Sequence, residues 1–529
     1  MFGSTVHRYI YIVLLALLGG CMVTSVWASN LVWVLLSVNW LLEGWSRPDG
    51  SKWSSSWREK WQMARESRLL QAVVALYLLY VVGMLWTANT THGLSVLQVK
   101  LPLLVVPLIV LTSRPVSGRA RGFVLGTYAT TVLVVTIIAL IRLLTIPDLP
   151  YRDAVPYISH IRFALNCCMV IYLGCQGYLG RLGRLGILGK LGCLLIILWL
   201  LVFLALIHSY TAFAILAVVS LVSILTNRNP RRRWSGLALW ILLAGGAAAV
   251  IGHEVKGYYR LIPQATAPLP SLTAGGRPYE HHCDGMIENG NYINNYLCPE
   301  ELRNEWQRRS QLPYDSVGDD GYSLQPRLVR YLNALGLTKD SVGVNSLTDA
   351  QITDIERGVD NPVYVSGNPL RKMVYVMLFE RECHIHTRAV RGFTMLQRLE
   401  LWRATLEVIQ ENPWYGVGTG DVDDALHARL AQMDSSLADT KKSTHNQYLA
   451  LLAAFGVAGA LLLLFLFLRA CHTTSRRSPL MLAWLLTILI SFLTEDTLDT
   501  LAGILFCTYF LAFRTPSCTN TIPSATESK

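Results

Sequence analysis

The sequence predicts an all-α, polytopic membrane protein with about twelve transmembrane helices and a large, mainly helical loop domain outside the membrane. Hydrophobic residues make up 52% of its 529 residues and charged residues only 15%, against about 25% in ordinary soluble proteins. The apolar residues also gather in runs of roughly 17 to 25, the length that a helix needs to cross a bilayer. The chain is therefore too apolar for a soluble enzyme.

Twelve apolar runs are predicted to be spanning helices. Their bounds are 9–27, 29–45, 68–87, 95–112, 122–143, 162–178, 192–208, 211–226, 235–252, 445–468, 479–493 and 501–513. The first run continues almost directly into the second, which predicts a spanning helix rather than a cleaved signal. The predicted domains are helices 1–9 in residues 1–252, a loop domain in 253–444, helices 10–12 in 445–513 and a tail in 514–529.

The basic residues predict the orientation of these helices. The formal net charge is +11, and Lys and Arg concentrate in alternate short loops, around Arg58, Arg119, Arg184, Arg232 and Arg476. Because cytoplasmic loops carry such an excess, we expect both termini in the cytoplasm and residues 253–444 on the outer side, with the helices among membrane lipids. In a bacterium, the outer side would be the periplasm and the membrane the inner membrane. Basic residues divided among short loops form no nucleic-acid surface, so no nucleic-acid partner is expected.

The loop domain is too long to lack structure of its own. Helical patterns are predicted at 299–310, 325–335, 349–358, 369 to about 411, and 421–433. Cys283 and Cys298 lie fifteen residues apart in this domain, and an oxidising compartment favours their pairing. We therefore predict a disulfide between them and a free thiol at Cys383.

A polar stretch that turns into an apolar helix begins at Ser443. His445 lies at the mouth of this predicted helix, followed by the polar Asn446. At about 100° per residue, a step of eleven residues is about three turns, so Gly456 should lie beneath His445 on the same face. With Ala453 and Ala460 it would form a small-residue stripe that a neighbouring helix or a lipid chain can approach closely. The pattern is typical of a site rather than of a plain anchor.

The segment before this helix carries two further motifs, Gln397–Trp402 and a glycine-rich stretch with Gly416, Gly418 and Gly420. The glycine spacing is not that of a dinucleotide loop, and no strand precedes it. Together with His445-Asn446, nine residues, Gly456, two residues and Gly459, these motifs resemble the signature of the O-antigen ligase and O-antigen polymerase superfamily. The resemblance covers about 390–465, with weaker matches at 288–290, 330–332 and 355–358 to a subgroup with an enlarged periplasmic loop.

The resemblance implies a metal-independent glycosyltransferase or ligase without a cofactor. Its donor would be a glycan linked to undecaprenyl diphosphate and its acceptor lipid A-core. Under this interpretation His445, Arg398 and Arg162 are the catalytic residues. Arg398 matches the arginine of the superfamily's Arg-Leu-x-x-Trp stretch, whereas many members carry a second arginine in a turn that here reads Ser209-Tyr210-Thr211. Arg162 is the candidate for the missing charge, although an arginine at a helix end can also extend to the membrane interface.

Six residues are predicted to bind substrate: Asn446, Lys100, His160, Tyr210, Gly418 and Gly420. Lys100 lies inside a predicted span, where an ionisable group indicates function unless it extends outward to the interface. No metal site is predicted, because neither Cys383-His-Ile-His386 nor His281-His282 completes a usual ligand set. Glu495, Asp496 and Asp499 form either a solvated turn or a group that orients the arginines.

Two rival functions remain open at this stage. An O-antigen polymerase, or another polyprenyl-linked glycan ligase, would share the donor and much of the motif. A flippase or transporter would more often show inverted repeats or paired broken helices, and the sequence shows neither.

Overall fold

The computed structural model describes residues 4–45, 56–147, 149–176, 186–263, 268–317, 323–366, 368–387, 390, 393–474 and 478–514. Almost every element within these ranges is a helix. Helices α1 to α10 are Ser4–Thr24, Val26–Trp45, Trp57–Glu66, Arg68–Val82, Thr90–Thr112, Gly118–Thr145, His160–Cys175, Gly186–Leu206, Tyr210–Leu225 and Pro230–Tyr259. Helices α11 to α20 are Pro299–Arg309, Leu324–Ala334, Ser341–Asn345, Asp349–Glu356, Pro369–Thr387, Thr394–Glu411, Val422–Gln432, Gln447–Thr474, Pro479–Ser491 and Leu501–Tyr509. A short antiparallel hairpin pairs β1 (Ile287–Glu288) with β2 (Asn291–Tyr292).

Within the described ranges, eight helices are long and apolar enough to cross a membrane. They begin at Thr5, Val26, Arg68, Thr90, Gly118, Gly186, Pro230 and Gln447. Four shorter apolar segments, His160–Cys175, Tyr210–Leu225, Pro479–Ser491 and Leu501–Phe513, account for the remaining predicted runs. The described ranges are therefore mostly helical and consistent with a polytopic membrane protein, as predicted, while the number of helices that cross the bilayer stays a prediction.

The chain folds as two compact units, 1–233 with 401–529, and 234–400. In the first unit, α1 packs against α2 and α6, and α5 packs against α4 and α20. Tyr128 is fully buried in its apolar core and donates a hydrogen bond of 2.9 Å to the side-chain oxygen of Asn166. This unit holds the segments around Lys100 and around His445, two parts of the predicted site.

The second unit contains the hairpin and α11 to α15, around a core that includes Trp306, Leu328 and Tyr331. The helices predicted at 299–310, 325–335 and 349–358 are confirmed, and so is the one at 421–433 in the first unit. The single long helix predicted from 369 to about 411 is wrong. Two helices, α15 and α16, replace it, and Val390 between them is not helical. The Glu380 carboxylate of α15 accepts from the Met395 N–H at 3.1 Å and so caps the start of α16.

The predicted disulfide between Cys283 and Cys298 is also wrong. Both residues are free thiols, and Cys383 is a third, buried one. The exposed Cys283 points its thiol to the side-chain oxygen of Asn295 at 3.5 Å, whereas Cys298 is buried at the start of α11. Pairing requires close Cβ atoms, which a short separation in sequence does not provide. The predicted tail lies outside the described residues from residue 515 onward.

A buried ion-pair network fixes the hairpin to α12. The Arg330 guanidinium donates to both carboxylate oxygens of Glu288, at 3.0 and 2.9 Å, and to Asp360 at 2.6 Å. Asn361 donates to Glu288 at 2.8 Å, and the guanidinium lies 3.3 Å from the Phe379 ring centroid. The Glu288 side chain is completely buried, so its charge depends on these partners.

Replacing Arg330 with methionine is expected to destabilise the second unit by about 3 to 5 kcal/mol, because it leaves a buried carboxylate without its counter-charge. Thermal unfolding of the detergent-solubilised protein measures the effect. Arg303→Met is the matched control, because Arg303 pairs with Asp315 at the exposed surface. This variant should unfold at the same temperature as the parent protein. An unchanged unfolding temperature for Arg330→Met would contradict the structural role of the network.

Candidate functional site

His445 lies in a strained turn immediately before α18. Its φ angle is +48°, a region that non-glycine residues rarely occupy, because it costs free energy that surrounding contacts must offset. The carboxylate of Asp496 makes such contacts. It accepts hydrogen bonds from the Ser443 hydroxyl at 2.6 Å, the Thr444 hydroxyl at 2.8 Å and the His445 backbone N–H at 2.8 Å. Asp496 thus fixes the backbone from which the imidazole projects.

Helix α18 begins at Gln447, two residues later than predicted. The Asn446 side-chain oxygen accepts from the backbone N–H groups of Tyr448 and Leu449, at 3.0 and 3.2 Å, and so caps the helix. Gln447 accepts from the Leu498 N–H at 2.7 Å through its side-chain oxygen. Its buried amide nitrogen has no hydrogen-bond partner among the described residues.

A break at Gly456 divides α18. There φ is 54° and ψ is −141°, a combination essentially restricted to glycine. The carbonyl groups of Ala453 and Ala454 accept instead from the N–H groups of Val417 and Gly418, at 2.9 and 3.0 Å. The small-residue stripe predicted beneath His445 assumed an unbroken helix, and this assumption is wrong.

The glycine-rich segment also packs its backbone against the connection between α4 and α5. A Cβ atom on Gly418 would lie 2.6 Å from the Thr87 hydroxyl oxygen, and one on Gly420 would lie 2.4 Å from the Asn89 carbonyl oxygen. Asp421 then accepts from the N–H groups of Ala88 and Asn89, both at 2.7 Å. The structure therefore gives Gly418 and Gly420 a packing role, and binding of substrate by them stays a prediction.

Gly456→Ala is expected to destabilise the first unit by at least about 1 kcal/mol and, because of the added clash, by about 3 kcal/mol or more. The added Cβ would lie 2.5 Å from the Pro413 carbonyl oxygen, and alanine disfavours the required backbone angles. The yield and the unfolding temperature of the purified protein measure this. Gly122→Ala is the control, since a Cβ atom there meets nothing within 4 Å. Equal stability of the two variants would contradict the described break.

A cavity of about 250 Å³ lies beside the His445 turn, within the first unit. Ser443, Thr444 and Gln447 form part of its wall. Lys100, predicted as a substrate-binding residue, lines the same cavity. Its ammonium donates to the Leu498 carbonyl at 3.0 Å, forms an ion pair with Asp499 and lies 4.6 Å from the Tyr80 ring centroid. The structure thus places Lys100 close to residues that flank His445.

A second polar pair lines this cavity. Nε2 of His92 lies 3.7 Å from a carboxylate oxygen of Asp423. Partial burial and the charge of Asp499 raise the pKa of Asp423, and His92 opposes the rise. The wall therefore carries two carboxylates and one ammonium group that is already paired. This balance suits hydroxyl-bearing ligands better than a diphosphate.

Three other predicted residues lie at the N-termini of two helices and do not line this cavity. Arg162 is in the first turn of α7, and its buried Nε has no hydrogen-bond partner within the described ranges. His160 also begins α7, and its ring contacts Tyr151. Tyr210 begins α9 and contacts His208, whose ring lies 4.5 Å from that of Tyr151. His160 and Tyr210 therefore belong to one aromatic cluster, which the sequence did not reveal.

The remaining predicted catalytic residue, Arg398, lies on α16 in the part of that helix that belongs to the second unit. Residues 193–464, just over half of the chain, match the sequence model of the family described as O-antigen ligase. The chain belongs to the O-antigen ligase family. The matched region of this O-antigen ligase family member contains Tyr210, Arg398, the glycine-rich segment and His445. No curated protein matches the chain.

Within the described part of this family member, no group of three or more His, Cys, Asp or Glu side chains is arranged to hold a metal ion. Two of the four histidines that raised this question have side-chain partners within the protein. His281 interacts with the Pro270 carbonyl at 2.9 Å, and His386 with the Glu382 carbonyl at 3.0 Å.

Sequence reasoning missed the role of Asp496 and overlooked Asp423 and His92. Asp496 is only 3% exposed, so it is not part of a solvated turn, and its carboxylate holds the His445 turn. A signal for Asp496 existed, because an acidic cluster between two apolar helices is costly unless paired. Asp423 and His92 have polar neighbours in the sequence, where a charged residue is ordinary, so nothing in the sequence singled them out.

Proposed function

We propose that the protein transfers a glycan from an undecaprenyl-diphosphate carrier to lipid A-core at the periplasmic face of the bacterial inner membrane. The observation that carries the proposal is the His445 turn: a strained backbone fixed by a buried carboxylate, beside a cavity whose mainly apolar wall carries several charged and hydroxyl side chains. Strain of this kind concentrates at functional sites. In a member of the O-antigen ligase family, it supports a role for His445 in the transfer itself.

In the proposed reaction, the neutral imidazole of His445 accepts the proton of the acceptor hydroxyl. The hydroxyl oxygen attacks the anomeric carbon of the donor glycan, and the bond from that carbon to the carrier diphosphate breaks. Imidazole is suited to this step because it exchanges protons near neutral pH. The Lys100 cavity would hold hydroxyl groups of one reactant, in keeping with its paired charges.

Negative charge then grows on the departing diphosphate. We assign its stabilisation to Arg162 and Arg398, because a planar guanidinium binds phosphate oxygens in pairs. Support for Arg162 comes from its buried Nε, since an N–H group without a partner is costly and a phosphate oxygen would supply one. Support for Arg398 comes from the family motif that it matches. The proposed step uses no metal, because the guanidinium groups carry the counter-charge.

The proposed topology places both termini in the cytoplasm and the 253–444 segment in the periplasm. The alternating basic loops support this orientation. It also places the reaction where nucleotide sugars are absent and where a lipid-linked diphosphate can supply the leaving group.

A defined assay tests the proposal. The purified full chain in detergent is supplied with one undecaprenyl-diphosphate-linked glycan and with lipid A-core, in the presence of a chelator. The expected product is glycosylated lipid A-core together with undecaprenyl diphosphate. Reactions without donor or without acceptor are the controls. Elongation of the carrier-linked glycan without any glycosylated lipid A-core would identify a polymerase instead. The absence of both products would contradict the proposed transfer.

A further inference from the structure

A second cavity, of about 310 Å³, lies within the second unit. This volume is at the lower end of the range of about 300 to 1,000 Å³ that is usual for small-molecule sites, which suits a single sugar residue. Five of its lining residues carry the argument: Asn291, Tyr292, Asn295, Tyr296 and Lys339. No residue described above as part of the transfer site belongs to this lining.

The wall of this cavity is held in shape by backbone contacts. The Lys339 N–H donates to the Tyr296 carbonyl at 2.9 Å, and the Cys298 N–H donates to the Lys339 carbonyl at 2.8 Å. Tyr296 has a φ of +55°, so the fold imposes a costly conformation at the cavity wall. The cavity is therefore built into the unit by hydrogen bonds rather than formed by loosely packed side chains.

Its polar groups call for a ligand with acceptor oxygens. Lys339 is only 2% exposed, and its ammonium donates to the Asn333 side-chain oxygen at 2.8 Å. Burial lowers the pKa of Lys339 to about 7, and the described lining contains no Asp or Glu to restore its charge. Asn295 is also 2% exposed, and its amide nitrogen has no hydrogen-bond partner within the described ranges. Two buried donors thus lack a full set of acceptors.

The remaining lining residues favour a sugar over a simple anion. Tyr292 and Tyr296 offer aromatic surface, which can pack against the C–H groups of a pyranose ring. Asn291 and Asn295 offer amides, which suit ring hydroxyls in both donor and acceptor roles.

We propose that this cavity binds an acidic sugar residue, a pyranose whose carboxylate pairs with Lys339. The carboxylate supplies the counter-charge that the described lining lacks, and the hydroxyls satisfy the amide of Asn295. Because binding here requires neither His445 nor transfer activity, its failure would leave the proposed function untouched, and the reverse also holds.

The test titrates the full-length protein in detergent with glucuronic acid and, separately, with glucose, followed by saturation-transfer NMR. The two sugars differ only at the carboxylate carbon. The expected dissociation constant for glucuronate is on the order of 1 mM, as befits so small a ligand. Glucose should bind at least about tenfold more weakly, because it lacks the charged partner for Lys339. Equal binding of the two sugars, or no saturable binding of glucuronate in the millimolar range, overturns the proposal.

Variants then locate the binding. Lys339→Met should weaken glucuronate binding by about tenfold to a hundredfold. Asn295→Asp should also weaken binding, because its carboxylate repels the carboxylate of glucuronate. It keeps the oxygen that accepts from the His282 N–H, so it tests the site even if Lys339→Met misfolds. Lys256→Met, which removes an exposed lysine of the same unit, is the control and should bind normally. Normal binding by both cavity variants, or displacement of glucuronate by equimolar inorganic phosphate, would show that no acidic-sugar site exists.

Discussion

His445→Ala is expected to abolish glycan transfer while the protein remains in the membrane at normal abundance. Loss of a general base typically lowers a rate by about 10² to 10⁴. The turn itself should survive, because the backbone N–H of residue 445 donates to Asp496 and alanine keeps that N–H. The transfer rate with purified components and the amount of protein in isolated membranes are the two measurements.

His253→Ala is the matched control, since His253 is an exposed histidine on α10 and should leave the rate unchanged. A His445→Ala protein that transfers glycan at the parent rate would remove the proposed base. Activity that a chelator abolishes and a divalent ion restores would also contradict the mechanism, because it would assign the counter-charge to a metal rather than to Arg162 and Arg398.

The helices were predictable because a membrane leaves the backbone few alternatives. Each N–H and C=O group in the bilayer core must find a partner within the segment, so long apolar runs become helices. The starts of helices were less predictable. Helix α5 begins at Thr90 rather than at 95, because the Asn89 side chain accepts from the His92 N–H and starts the helix inside a polar sequence.

The break in α18 was not predictable from hydrophobicity, because the apolar run continues on both sides of Gly456. Its cause is tertiary: N–H groups of Val417 and Gly418 replace the missing helical donors, and these residues lie more than thirty positions upstream. The ion pair between Lys100 and Asp499 joins residues about 400 positions apart. Sequence patterns identified both charged residues, but only the fold shows that they neutralise each other.

The disulfide prediction failed for a related reason. The compartment and the loop length both favoured it, yet Cys283 and Cys298 face different surroundings, one exposed and one buried. Proximity in sequence cannot substitute for the direction of two Cβ atoms.

Asp496→Ala is expected to lower the transfer rate by about tenfold to a hundredfold with the His445 side chain still present. Alanine removes the acceptor of three hydrogen bonds at once, and a buried donor left without a partner costs about 1 to 3 kcal/mol. The strained φ of His445 is then no longer enforced. Transfer rate and unfolding temperature are measured together, with Asp439→Asn, an exposed acidic residue of the same unit, as the control that should behave like the parent.

Two comparisons separate positioning by hydrogen bonds from an effect of charge. Asp496→Asn loses the charge but can keep the arrangement, because its amide oxygen can accept from Ser443 and from the His445 N–H while its NH₂ group donates to the Thr444 hydroxyl. It should therefore retain much more activity than Asp496→Ala. If Asp496 acts through His445, then adding Asp496→Ala to His445→Ala should slow transfer no further, since residues that act as one unit are not additive. A double variant that loses the full product of the two single effects would show that Asp496 serves transfer by a route independent of the histidine.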